Sequence, residues 1–220
     1  MEKLEKKEKS KFIAVLSGDI IRSTELSHEM YEDLLYTLHN QLTFICSRHP
    51  NNKFEITRGD SFQVLLQDPE NAATYVLLIR TSLKARNKIY DCRISFAIGN
   101  DVSIRHTVSR STGDAFTLSG RTLDNMTSDT LKVTTLHQPF NECFNLLTKY
   151  VDNHISGMTE RQCAITYIEI KNNKSLTQKE IAKQLGANRV SINRSIKTAN
   201  INLITEYTQL FSKKVEEFFL

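Results

Sequence analysis

Over the first 155 residues, the spacing of apolar positions switches between the two-residue period of a strand and the 3.6-residue period of a helix. The pattern predicts strands at 11–16, 54–57, 62–66, 91–99 and 132–136, and helices at 28–48, 68–88, 113–126 and 139–154. This order, β-α-β-β-α-β-α-β-α, is typical of helices packed on a largely antiparallel sheet. We expect an α+β domain of ferredoxin-like topology with one added strand, preceded by a charged tail over residues 1–11. Gly18 and Asp19 are expected to end the first strand, and Asp68 to cap the second helix.

After Ser156 and Gly157 the apolar spacing is helical to the last residue, which predicts two domains, 12–155 and 156–220. Within the second, Thr177 and Glu180 have the spacing of a capping box. A small residue, Ala182, is expected where two helices cross, and Gly186 can adopt the positive φ of a tight turn. The predicted inner face consists of Ile181, Leu185, Val190, Ile192 and Ile196. Together these features predict an all-α helix-turn-helix domain.

The outer face of the second helix in this unit is predicted to contact DNA. Between residues 174 and 200 there are six basic residues and one acidic residue, so this segment carries +5 in a chain of net charge +4. Such a local excess is expected where a protein contacts phosphates. The predicted DNA-binding residues are Thr177, Asn188, Arg189, Ser191, Asn193, Arg194 and Lys197. The alternative is a solvated basic face on an ordinary three-helix core.

Composition and cysteine spacing exclude several classes of protein. With 40% hydrophobic and 25% charged residues, the chain falls among soluble globular proteins. Its longest apolar runs are too short to span a membrane, and residues 1–11 lack a signal peptide, so we expect a cytoplasmic protein. The four cysteines contain no CxxC pair, and all four are predicted to be buried apolar residues rather than zinc ligands or disulfides.

Two aspartates are candidates for chemistry in the first domain. Asp19 follows the first strand, and Asp60 lies in the hairpin sequence Arg58-Gly59-Asp60-Ser61. Strand pairing would bring both carboxylates to adjacent strand ends, where such a pair can hold divalent cations against a triphosphate. Ordinary turn chemistry is the alternative explanation for both residues.

The arrangement over residues 11–136 resembles the core of the class III nucleotidyl cyclases. Asp19 and Asp60 stand where that family has its metal aspartates, which implies Mg²⁺ or Mn²⁺ together with a nucleotide. Arg121 matches the arginine that steadies the transition-state phosphates, and the predicted nucleotide contacts are Arg58, Thr117 and Arg121. However, Thr117 replaces an expected asparagine, Ile56 a base-selecting lysine, and Arg110 stands near the position of its aspartate partner. We therefore expect regulation rather than catalysis.

The whole chain more closely resembles the SatD family of bacterial proteins, through its opening FIAVLSGDIIRST and the later TQKEIAKQLG and VSINRSIKTAN. That resemblance implies a cyclase-like domain coupled to a C-terminal helix-turn-helix. Our leading hypothesis is a homodimeric DNA-binding transcriptional regulator whose first domain dimerises and senses a nucleotide or metal. The alternatives are a nucleotidyl cyclase or transferase with a helical accessory domain, and an assembly scaffold.

Overall fold

The computed structural model describes residues 12–57, 59–100 and 102–220, and in these residues five strands form one sheet. The strands are β1 (Ile13–Ile20), β2 (Lys53–Thr57), β3 (Ser61–Leu66), β4 (Cys92–Gly99) and β5 (Leu131–Thr135), in the order β2-β3-β1-β4-β5. The pairs β2–β3, β3–β1 and β1–β4 are antiparallel, and the pair β4–β5 is parallel. The predicted α+β class, a ferredoxin-like sheet with an added strand, is confirmed. The predicted charged tail lies outside the described residues.

The described part of the chain contains eight α-helices. They are α1 (His28–Cys46), α2 (Ala72–Arg86), α3 (Asp114–Asp124), α4 (Gln138–Ser156), α5 (Glu160–Lys171), α6 (Gln178–Gln184), α7 (Arg189–Thr198) and α8 (Ile201–Phe219). Short 3₁₀ turns occupy Ser23–Glu25, Pro69–Asn71 and Val108–Arg110. None of the helices in the described residues combines the length and the apolar composition that a membrane span requires.

Strand alternation gives the sheet two different faces. Residues such as Leu16 and Phe96 point into the main core, which α1, α2, α4 and α8 cover. The opposite face holds a small cluster that includes Val15 and Phe116, under α3. At its other end this second face is polar, with Ser17, Asp19, Ser61, Gln63, Arg93 and Ser95 as its side chains. This polar end lines the cleft that contains Asp19 and Asp60.

The main core continues across the predicted domain boundary at residue 156. α4 ends at Ser156, but Ile181 and Ile192, which follow it in the sequence, belong to the same apolar cluster as the sheet residues. α8 returns to the sheet, where the rings of Phe211 and Phe96 lie 5.7 Å apart between centroids. The division into two folding units stays a prediction, and the helices after residue 156 are packed onto the sheet domain.

Two local predictions about element ends are wrong. β1 continues to Ile20 rather than ending at Gly18, because neighbouring strands hydrogen-bond to both of its edges. Asp68 makes no side-chain capping bond to the following turn. Its carboxylate instead accepts hydrogen bonds from the Tyr75 hydroxyl at 2.5 Å and the Asn52 amide at 2.9 Å. The aspartate thus stands at the predicted N-cap position, before the 3₁₀ turn that leads into α2, but its side chain ties the residue before β2 to α2 instead of capping the turn.

The prediction that all four cysteines are buried is also wrong. Cys92 and Cys163 are buried, but Cys46 is half-buried and Cys143 is exposed on the outer side of α4. All four are free thiols. Burial raises the pKa of Cys163 to about 11, so this thiol stays protonated near neutral pH.

A buried ion network joins α2, α4 and Asp91, the residue before β4. The guanidinium of Arg80 is fully buried and lies 2.6 Å from Asp91 and 2.7 Å from Asp152. Burial alone would raise the pKa of Asp91, but attraction to Arg80 and then Lys84 outweighs it and holds that pKa below its usual value. Each charge has an opposite partner, as a buried charge requires.

Candidate functional site

The first candidate site is formed by α5, α6 and α7. α6 begins at the predicted capping box, in which the Glu180 backbone amide donates to the Thr177 hydroxyl and the Thr177 backbone amide donates to the Glu180 carboxylate, at 3.3 and 2.7 Å. Gly186 has a φ of +58°, the left-handed conformation that a side chain disfavours, and it turns the chain between α6 and α7. The buried Ile181 and Ile192 hold the two helices together.

α7 presents basic side chains to solvent. Arg189, Arg194 and Lys197 are exposed, and no ion pair joins any of them to another residue in the described part of the chain. Residues four and three apart on a helix share a face, so Arg194 and Lys197 lie side by side. The three predicted basic contacts therefore keep their full charge available to a polyanion.

The polar residues of α7 are held by hydrogen bonds. Asn188 caps the helix by accepting from the Ser191 backbone amide at 2.7 Å. The Ser191 hydroxyl accepts from Arg161 of α5 at 3.1 Å, and the Asn193 side-chain oxygen accepts from Gln178 of α6 at 3.3 Å. Sequence reasoning missed Arg161 and Gln178, because their partners lie 30 and 15 residues away with no local spacing to indicate them.

Val190 was predicted to lie on the inner face, and this is wrong. Its side chain is 79% exposed, because Ile192 and Ile196 turn toward the core and a residue two positions before Ile192 lies on the opposite side of the helix. Val190 therefore shares the outer face with Arg194 and Lys197, four and seven positions later.

The second candidate site is a cleft of about 490 Å³ at the polar end of the sheet. Asp19 in β1 is opposite Ser61 in β3, and the Asp60 carbonyl accepts the Ile20 backbone amide at 2.9 Å. This pairing places Asp19 and Asp60 in one cleft, as predicted. Residues 127–130 form another part of its wall.

Arg93 neutralises one of the two aspartates. It is opposite Asp19 in the β1–β4 pairing, and its Nε and Nη2 donate to the two carboxylate oxygens at 2.9 and 2.5 Å. A third nitrogen, Nη1, donates to the Met126 carbonyl at 2.9 Å, which fixes the guanidinium. The hydrogen bond to Asp19 raises the pKa of Arg93. Asp60 accepts a weaker bond of 3.3 Å from the Ser23 hydroxyl.

The residues as placed do not fit the divalent cation that the cyclase resemblance implies. A cation needs free carboxylate oxygens, but both oxygens of Asp19 accept from Arg93. Among the described residues, no group of three or more His, Cys, Asp or Glu side chains lies close enough to hold a metal. The metal role of Asp19 and Asp60 stays a prediction, with Arg93 as the group that a cation would have to displace.

The predicted nucleotide contacts are not gathered at this cleft. Thr117 and Arg121 are exposed, one turn apart on α3, and neither belongs to the cleft lining. α3 itself is anchored by a hydrogen bond of 3.0 Å between the Ser119 and Ser17 hydroxyls. Arg58 lies outside the described residues. The nucleotide role of these three residues stays a prediction.

Comparison with known proteins identifies similar folds and no family. No protein-family profile and no curated protein matches the chain. The structure of the guanylyl cyclase Cya2 is 17% identical and covers 56% of this chain and 74% of that protein, with a TM-score of 0.43. Two structures of a bacterial light-regulated adenylyl cyclase are 18% and 17% identical, cover 56% of this chain and 75% and 42% of those chains, and have TM-scores of 0.42 and 0.41. With identities of 18% or less and TM-scores of 0.43 or less, these similarities assign no activity to the chain. The α+β class rests on its own strand order and helices.

Proposed function

We propose that the chain is a DNA-binding transcriptional regulator in which α5, α6 and α7 form a helix-turn-helix unit. The observation that carries the proposal is the outer face of α7, where Arg189, Arg194 and Lys197 are exposed and form no ion pair with another described residue. Cations that have no partner in the protein can neutralise phosphates and release the counterions bound to DNA. A helix that follows a tight turn is the element that enters the major groove in this motif.

The contacts behind α7 support a surface that is ready to bind. Ile192 is fully buried, and hydrogen bonds from Gln178 and Arg161 hold Asn193 and Ser191. Groups that are already fixed lose less conformational freedom on binding, which favours affinity. With its oxygen engaged by Gln178, Asn193 has its amide hydrogens left for an acceptor on a base.

The proposal includes a dimer formed through the α/β domain. One face with three basic residues gives modest affinity, whereas two faces about one helical turn apart can bind two half-sites. The resemblance to the SatD family supports the pairing of a cyclase-like domain with a DNA-binding unit. In this proposal the cleft at Asp19 and Asp60 senses a nucleotide or metal, and the protein acts in the cytoplasm.

The test is fluorescence anisotropy with DNA fragments from the gene's own neighbourhood, at two salt concentrations, with and without nucleoside triphosphate and Mg²⁺. We expect binding that weakens with salt, and a loss of about 1–3 kcal/mol in Arg194→Ala if that residue reads a base. Lys213→Ala is the matched control, because Lys213 is also exposed but lies on α8. Absence of salt-sensitive binding, or equal losses in both variants, would refute the proposal.

The enzymatic alternative draws support from the placement of Asp19 and Asp60 in one cleft. Its test is incubation with each of the four nucleoside triphosphates and Mn²⁺ or Mg²⁺, comparing the wild type with Asp60→Ala. Product that disappears in the variant would favour the enzyme over the regulator. The ion pair of Asp19 with Arg93 supports the regulator, because a paired carboxylate is a poor cation ligand.

A further inference from the structure

Val190 is an apolar side chain in an unusual position. Its exposed fraction of 79% is the largest among the exposed large hydrophobic residues of the described chain. A β-branched residue loses rotamer freedom in a helix, and here that loss is not offset by burial. Burial among the described residues therefore does not account for an apolar side chain at this position.

The neighbours of Val190 define what could cover it. It is the second residue of α7, directly after Arg189, and it shares a face with Arg194 and Lys197. The amide of Asn193 lies on the same side, and no acidic residue occurs in α7. An apolar partner protein or a second copy of this face would have to bury these cations unpaired, which is costly. The complementary partner is an anionic surface that also carries apolar groups.

We infer that Val190 contacts the C5-methyl group of a thymine in the major groove, and so sets specificity at one base pair of each half-site. This inference rests on the proposed DNA-binding function. The thymine methyl is the apolar group that the major groove displays, and it lies among phosphates and base acceptors that suit the surrounding cations and amides. Valine has no hydrogen-bond donor or acceptor on its side chain, so it can recognise this methyl but no polar base edge.

The contact has a defined size. When Val190 covers the thymine methyl, the apolar surface of about one methyl group is removed from water. Burial of that area corresponds to a change of about threefold to tenfold in affinity. Replacing thymine by uracil removes that methyl and leaves base pairing unchanged. The expected loss is therefore confined to one thymine in each half-site.

The experiment measures anisotropy with the full chain on its best-binding genomic fragment, in which each thymine is replaced singly by uracil. The wild type should lose about threefold to tenfold in affinity at one thymine per half-site. Val190→Ala should bind the thymine fragment with the same loss of about threefold to tenfold, and replacing the contacted thymine by uracil should not weaken its binding further. Val190→Thr keeps one methyl group on its side chain, so its affinity should still fall in part when that thymine is replaced. Leu203→Ala is the matched control, because Leu203 is exposed on α8.

The outcomes separate this inference from the function on which it rests. If the wild type binds DNA but no thymine-to-uracil replacement affects wild type and Val190→Ala differently, the inference is overturned. That outcome leaves the proposed regulator intact. If Val190→Ala loses the same affinity on thymine DNA and on uracil DNA, the inference is also overturned. The contribution of Val190 to binding would then not depend on the thymine methyl group. Absence of DNA binding by the wild type at any salt concentration overturns both.

Discussion

Replacing Asp152 by asparagine should cost this protein a large part of its stability. The Asp152 carboxylate accepts from Arg80 Nη1 at 2.7 Å, from the backbone amides of Thr130 and Leu131 at 2.7 and 3.0 Å, and from the Thr130 hydroxyl. Every one of these partners is a donor, so an asparagine amide would direct its own hydrogens at one of them. The substitution also leaves Arg80, which is fully buried, with one carboxylate fewer.

Removing one member of a buried ion pair typically costs about 3–5 kcal/mol. For a chain of this length each kcal/mol lowers the melting temperature by about 2–4 °C, so Asp152→Asn should melt roughly 6–20 °C below the wild type. Urea unfolding followed by circular dichroism at low temperature gives the free energy directly. The control is Glu217→Gln, which breaks the exposed pair with Lys214 and should cost less than about 1 kcal/mol. Equal small losses in both variants would show that the buried network contributes no more than a surface pair.

Three further outcomes follow from single groups. Because the folded-state pKa of Asp91 is lowered below its usual 3.8, its stabilising effect is complete at neutral pH. The advantage of the wild type over Asp91→Asn in urea should therefore shrink as the pH falls below about 4, and a constant difference would contradict this. The exposed Cys143 should account for the fast reaction with a thiol reagent near pH 8, and Cys143→Ser should abolish that phase; a persisting fast phase would contradict its assignment. Arg93→Ala frees both oxygens of Asp19 and should bind Mn²⁺ more tightly than the wild type in calorimetry, and equal binding would remove Arg93 as the obstacle to a cation.

The order of elements could be predicted because hydrophobic periodicity is a local property of the sequence. The capping box at Thr177 and the positive φ at Gly186 could also be predicted, since a few neighbouring residues determine each. The ion pair of Asp19 with Arg93 could not, because it joins residues 74 positions apart through strand register. The prediction that Val190 lies on the inner face is wrong for a related reason. Which side of a short helix is buried depends on how Ile192 packs against the rest of the protein, and the apolar residues near it in the sequence do not reveal this.

If the chain binds DNA as a dimer, as proposed, the packing of α5–α7 on the sheet domain has a consequence for the spacing of the half-sites. Residues 157–159 alone connect α4 to α5, and the buried Cys163 and Ile165 hold α5 in the main core. The Lys88 backbone amide donates to Glu160 at 2.9 Å, and the His154 ring lies 2.5 Å from the Ala199 carbonyl that follows α7. A unit held in this way cannot swing on a flexible linker, so the distance between two α7 helices in a dimer is set by the protein.

Operators with altered spacing test that rigidity. Inserting about 5 bp between the half-sites rotates one site to the opposite side of the duplex, and we expect binding to fall to that of a single half-site. Inserting about 10 bp restores the rotational phase but adds about 34 Å of separation, which a rigid dimer cannot span. Both insertions should therefore weaken binding to the same level in anisotropy titrations. If the DNA-binding units were flexibly tethered, affinity would recover with the longer insertion. The two half-sites would again face the same side of the duplex, and a flexible linker could span the added separation.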